Sequence, residues 1–139
     1  MRDRNAVQSL AALVGVVFVV AGILGFIPGI TTHYGDLGFA GQGSGAKLIG
    51  LFQTSVLHNL VYIASGVGIF MAKTAEGART YLIGGGVVYL VVWLVGLIGG
   101  LEWLPVNAAD NWLHFVLGLG MIALGFVTAR NMVRALEPV

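Results

Sequence analysis

The chain has no cysteine, which excludes disulfides, thiolate metal sites and thiol catalysis while leaving the redox compartment open. Charge is almost as scarce. Only 9% of the 139 residues are charged, against roughly 25% in soluble domains. By contrast 58% are hydrophobic and the mean hydropathy is +0.93, so bulk water is not the main solvent of this chain. Seven Lys+Arg oppose six Asp+Glu for a net charge of +1, which leaves no basic field for phosphates and no footing for a nucleic-acid role. Glycine is abundant, yet no phosphate-loop or dinucleotide fingerprint follows a strand. Ser55 and His58 stand one turn apart, but no carboxylate in the same span orients the imidazole and no oxyanion hole is visible, so an enzyme is not expected.

What is present is apolar sequence in four runs free of Asp, Glu, Lys and Arg: residues 10–30, 48–72, 81–101 and 112–129. Each approaches or exceeds the ~20 residues that cross a bilayer. The expected fold is an all-α membrane protein, a single four-helix transmembrane domain over residues 1–139. Arg2 and Arg4 precede the first run, which is too long for a signal-peptide core and lacks a small-residue cleavage site, so it reads as a retained span. Lys73 and Arg79 between the second and third runs, and Arg130 and Arg134 after the fourth, lie on the same side as Arg2 and Arg4; only Lys47 lies opposite. The positive-inside rule then makes both termini cytoplasmic in a plasma membrane and turns Asp36, Glu102 and Asp110 outward, with Trp103 and Trp112 at the outer interface and Tyr81 at the inner one. Between the first two runs, residues 31–47 carry five glycines, too many for a helix, and read as a flexible outer cap or a partner surface. Asn107 suits the N-cap of the fourth helix, with Asp110 in its first turn.

The two halves share an order of motifs. Gly22-Ile-Leu-Gly25 is matched by Gly96-Leu-Ile-Gly99, and Leu57-His58 by Leu113-His114, which suggests two pseudo-repeated helical hairpins. His58 lies fifteen residues from Lys73 and His114 sixteen from Arg130. At ~1.5 Å per residue both imidazoles stand roughly 23 Å above the cytoplasmic charges, near the level of the Gly-x-x-Gly steps. Ser55, His58, Tyr62 and Ser65 make one polar stripe, which belongs against other helices or a cavity rather than lipid. Gly15, Gly22, Gly25 and Gly29 on the first helix, and Gly96 and Gly100 on the third, read as close-packing surfaces. Tyr89, Trp93 and Gly96 share a face of the third helix, and His114, Gly118, Met121 and Gly125 one of the fourth.

The runs Leu57-His58-Asn59-Leu60 and Asn107-Ala-Ala-Asp110-Asn111-Trp112-Leu113-His114, with Gly25-Phe-Ile-Pro-Gly29, resemble a bacterial domain-of-unknown-function family of small four-span membrane proteins seen in actinobacteria and cyanobacteria. The resemblance covers nearly the whole chain. It implies the four-span fold and weight on these positions, but no reaction. A histidine that the family often carries one turn after the first is Tyr62 in this chain.

Three roles follow. The expected one is non-enzymatic: an accessory or scaffold subunit that docks on other membrane subunits or on itself, supported by glycines away from the histidines such as Gly68, Gly86 and Gly120. Its alternative makes His58 and His114 ligands for a metal or a haem, with Asp110, Asn59 or Tyr62 as a third donor and Ser55 nearby. A third treats the stripe as a proton or small-solute path, which lacks an ionisable partner below Ser65. No cofactor is specified by the sequence.

Overall fold

The computed structural model describes residues 5–99, 102 and 106–136, so Arg2, Arg4, Gly100, Trp103 and Pro105 lie outside the described residues. The elements run α1 (Ala6–Leu24), β1 (Thr31–Thr32), β2 (Lys47–Leu48), β3 (Phe52–Gln53), α2 (Val56–Ser65), α3 (Gly68–Met71), α4 (Ala75–Leu97) and α5 (Ala108–Leu136). Among the described residues α1, α4 and Ala108–Thr128 of α5 are long and apolar enough to cross a membrane, and Val56–Met71 forms a fourth, shorter apolar segment.

α1 starts on a capping box in which Asn5 Oδ1 accepts from Gln8 N at 3.0 Å and Gln8 Oε1 accepts from Asn5 N at 3.2 Å. Gln8 Nε2 then donates to Lys73 O at 2.9 Å, joining the start of α1 to the turn between α3 and α4. The helix stops at Leu24, before its apolar run is exhausted. Pro28 cannot extend it, and Gly29 adopts φ +93°, open to glycine but costly for other residues. Gly29 is therefore a turn residue with nothing within 4 Å of its would-be Cβ, not the packing residue its spacing suggests.

The second span is shorter than the run 48–72. Leu48-Ile-Gly-Leu-Phe52 reads as continuous apolar sequence, yet Ile49 and Gly50 take φ +48° and +75° and fold it into a hairpin between β2 and β3. Ser55 caps α2 instead of extending the stripe, its Oγ accepting from His58 N at 3.1 Å. Gly66 ends α2, and tight i−3 bonds such as Val67 N to Ala64 O (3.1 Å) carry the chain into α3. Both glycines at this break are filled: Gly66 takes the Val19 side chain and Gly68 the Tyr81 ring.

The glycine-rich loop between the first two spans is not a loose cap. β1, β2 and β3 form an antiparallel sheet in that order, Ser44 Oγ donates to Thr54 O at 2.5 Å, and the Gly38 and Phe39 carbonyls accept from Val56 N and Leu57 N at 3.0 and 2.8 Å. Those two bonds satisfy first-turn amides of α2 that have no partner within the helix. α4 begins at Ala75, earlier than the run 81–101, because Thr74 caps it by accepting from Gly77 N at 3.0 Å and Glu76 suits its first turn. α5 begins on the expected cap: Asn107 Oδ1 accepts from Asp110 N at 2.9 Å and Asp110 Oδ2 accepts from Asn107 N at 2.9 Å. Asn107 Nδ2 also donates to Leu51 O at 2.8 Å, tying the sheet to α5.

Small residues set the helix contacts. On α1 the buried residues Val7, Ala11, Gly15, Phe18 and Gly22 share one face, while Leu13, Val16, Val17, Val20 and Ile23 are exposed. A Cβ on Gly22 would meet Asn59 O and Ile63 at 2.6 Å, one on Gly15 would meet Ile69 N at 2.9 Å, and one on Gly86 would meet Gly118 O at 2.7 Å. Asn59 fills the notch above Gly25, and Asn111 that beside Gly96. These two asparagines lie about 100° and about 60° round from His58 and His114 in the same sense, hence on matching faces. Their depths differ. Asn59 follows its histidine by one residue and Asn111 precedes its own by three, so Gly96 sits about one turn further out than the shared-level arithmetic implies.

Gly22→Val is expected to destabilise the detergent-solubilised protein by about 1–3 kcal/mol through overpacking, and Gly120→Ala, with nothing within 4 Å, to leave it unchanged. Thermal unfolding followed by circular dichroism compares the two.

Candidate functional site

With Asn59 turned toward α1, the neighbouring face of α2 turns His58 and Tyr62 toward α4 and α5. Asn111 against Gly96 does the same for α5, and His114 arrives opposite His58 with ring centroids 6.2 Å apart and planes at 58°. Tyr62 stacks on His58 at 4.5 Å, and Tyr89 of α4 approaches His114 at 5.6 Å. Phe18 lies parallel to Tyr89 at 5.4 Å and near-parallel to Tyr62 at 6.4 Å. Below them Ser65 gathers the tyrosines: Tyr81 OH donates to Ser65 O at 2.7 Å and Tyr89 OH to Ser65 Oγ at 3.5 Å.

These rings wall a cavity of about 250 Å³, most of whose lining is apolar. Val67 and Val88, 48% and 59% exposed, form part of that lining, so the cavity reaches the surface between the α2–α3 segment and α4. The polar atoms inside are poorly matched. His58, Tyr62 and His114 are only 3%, 3% and 2% exposed, yet among the described residues His58 Nδ1, Tyr62 OH and His114 Nδ1 have no hydrogen-bond partner. An unpartnered buried polar group costs about 1–3 kcal/mol, so three of them on one wall are conspicuous.

Not every expected site residue joins them. Ser55 is occupied with its cap. Asn59 faces α1, where its Oδ1 accepts from Thr54 Oγ1 at 2.6 Å, and it stands away from the histidine pair. Asp110 is wholly buried and spends Oδ2 on Asn107 N, while its Oδ1 is unpartnered. The Gln53 backbone lies against both Asp110 and His58, so β3 links α2 to α5 at the end of the cavity nearest the sheet. Among the described residues no three His, Cys, Asp or Glu side chains gather as a metal cage. A cavity of about 250 Å³ also falls below the ~300–1,000 Å³ of sites for drug-sized ligands, too little for a haem macrocycle.

Phe18, Tyr81 and Tyr89 are the site residues that sequence reasoning missed. Tyr89 carried a signal, lying one turn from Trp93 on one face, although Trp93 itself packs on Phe115 at 4.7 Å. Phe18 carried only its place in the Gly15–Gly22 row of an all-apolar helix.

Tyr62→Phe removes an unpartnered hydroxyl, and in purified, delipidated protein it is expected to change stability by less than about 0.5 kcal/mol. Thr54→Val strands the buried Asn59 Oδ1 and is expected to cost about 1–3 kcal/mol in the same chemical-denaturation assay. Equal losses would mean that Tyr62 OH has a partner.

Compared with known proteins, the family described as a domain of unknown function (DUF4383) matches residues 8–127. No curated protein and no solved structure matches the chain.

Proposed function

We propose that this chain, which belongs to the DUF4383 family of domains of unknown function, is an integral membrane protein that holds a small amphipathic molecule taken up sideways from the bilayer. The observation behind this is the wall of three almost wholly buried side chains, His58, Tyr62 and His114, with unpartnered polar atoms on a cavity that opens at Val67 and Val88. In lipid such atoms find no water, so an occupant with hydrogen-bonding atoms offsets their cost. A purely gluing role for the histidines is less well supported, because such a role supplies each ring nitrogen with a partner. Binding, rather than catalysis, is the chemistry this wall favours.

The accessory-subunit reading stands second. Of the glycines that motivated it, Gly68 is filled by the Tyr81 ring and Gly86 by Gly118 and Ile122 within the bundle, which leaves Gly120, with Gly84, on open helix surface. A metal reading has two imidazoles and no third ligand in place among the described residues. The conduit reading gains Tyr89 and Tyr81 below Ser65, but the predominantly apolar lining does not favour a continuous wire.

We further propose a bacterial plasma-membrane location with both termini cytoplasmic. The Gln8–Lys73 bond groups the start of α1 with the α3–α4 turn, and the Asn107–Leu51 bond groups the sheet with the start of α5 at the opposite end. The end holding Lys73 and Arg79 is the cytoplasmic one by the positive-inside rule.

Two experiments test this. Native mass spectrometry of protein gently extracted from its own membrane is expected to give a small bound mass that the double variant His58→Phe, His114→Phe loses while keeping its helicity. A large assembly with other membrane proteins and no small mass favours the accessory subunit instead. Because the chain has no cysteine, Gly35→Cys is expected to react with an impermeant maleimide in intact cells and Glu76→Cys only after permeabilisation; the reverse pattern overturns the orientation.

A further inference from the structure

We infer that the occupant carries an uncharged, flat, carbonyl-bearing headgroup on an apolar tail, the chemistry of a membrane quinone; this deepens, and rests on, the binding role proposed above. Four observations select that class.

Four of the rings lining the cavity are close to parallel, Phe18 and Tyr89 differing by 2°, Phe18 and Tyr62 by 19°, and His58 and Tyr62 by 20°, while His114 is tilted by 37° to Tyr89 and 58° to His58. A flat conjugated ring stacks on such a surface, whereas a saturated ring or acyl chain gains nothing from the alignment. His58 Nδ1, His114 Nδ1 and Tyr62 OH are unpartnered on these rings. The His58 ring already hydrogen-bonds the Gln53 backbone, so the donors offered to a carbonyl oxygen are the Tyr62 hydroxyl and the one N–H of a neutral His114.

Charge argues in the same direction. Among the described residues no Lys, Arg, Asp or Glu lines the cavity, and Asp110 lies in the first turn of α5, one turn before His114. A carboxylate or phosphate headgroup would be buried there without a cation and within reach of an acid, which is strongly unfavourable. Size completes the argument. About 250 Å³ suits a headgroup of one or two rings, and the gap at Val67 and Val88 lets a tail leave into lipid.

The test is a titration of the full chain in nanodiscs with decylubiquinone, read by quenching of intrinsic fluorescence and by isothermal calorimetry, with decanol and decanoate as probes of matching tail. The expected result is saturable binding of one quinone per chain, weakened about tenfold or more by His58→Phe with His114→Phe, each lost hydrogen bond removing a share. Neither control should compete. If decanol displaces the quinone equally, the headgroup inference falls and lateral uptake of an amphipathic molecule stands. If no decyl probe binds but the natively extracted protein carries another small mass, the inference again falls alone. If no probe binds and no mass is carried, both readings fall.

Discussion

The seating of Asn59 in the notch between Gly22 and Gly25 is the contact on which the rest of this molecule depends. Asn59 is wholly buried, held by Thr54 from the strand side and by α1 from the other, and a side chain on Gly25 would run directly into it. A helix anchored by one such residue cannot rotate, and rotation is what decides where its other side chains aim. His58 and Tyr62 point into the cavity because Asn59 points out of it. On α5 the pairing of Asn111 with Gly96 performs the same service for His114.

Polarity is arranged inside out. Thr31, Ser44, Thr54, Ser55, His58, Asn59, Asp110 and His114 are buried, while large apolar side chains such as Leu13, Val88, Leu94 and Val116 cover the outside. A bilayer rewards the second half of that arrangement and makes the first half demanding, because each interior polar group must find a protein partner. Thr54, Ser44 and Asn107 do so through the sheet and the loop around it, and that loop in turn supplies the Gly38 and Phe39 carbonyls to the first turn of α2. Of the six buried side-chain atoms without a partner among the described residues, His58 Nδ1, Tyr62 OH and His114 Nδ1 lie on the cavity wall, while Asn59 Nδ2, Asp110 Oδ1 and Asn111 Oδ1 lie in the helix contacts and at the start of α5.

The short α2–α3 segment explains why a cavity exists at all. Two glycines in three residues tighten the backbone at Gly66 and Gly68, and both are filled from neighbouring helices, by Val19 and by Tyr81. The segment is thereby held against α1 on one side and against α4 near its inner end, leaving a gap higher up between it and the α4–α5 pair. Ser65 lies at the lower edge of that gap and takes both tyrosine hydroxyls, closing it from below.

Sequence alone determined the membrane class, the apolar segments and the cap at Asn107 and Asp110, because hydropathy, helical period and capping are local properties of the chain. The glycine-notch contacts at Gly22 and Gly96 were legible as close-packing motifs, though not their partners or depth. Tertiary structure decided the rest. The start of α2 depends on a hairpin at Ile49 and Gly50, whose apolar sequence is indistinguishable from the helix that follows it. The separation of Asn59 from His58 depends on a notch contributed by another helix. The entry of Phe18, Tyr81 and Tyr89 into the site depends on where α1 and α4 come to rest against α2 and α5, and helix-to-helix contacts between residues far apart in the chain have no signature in its local period.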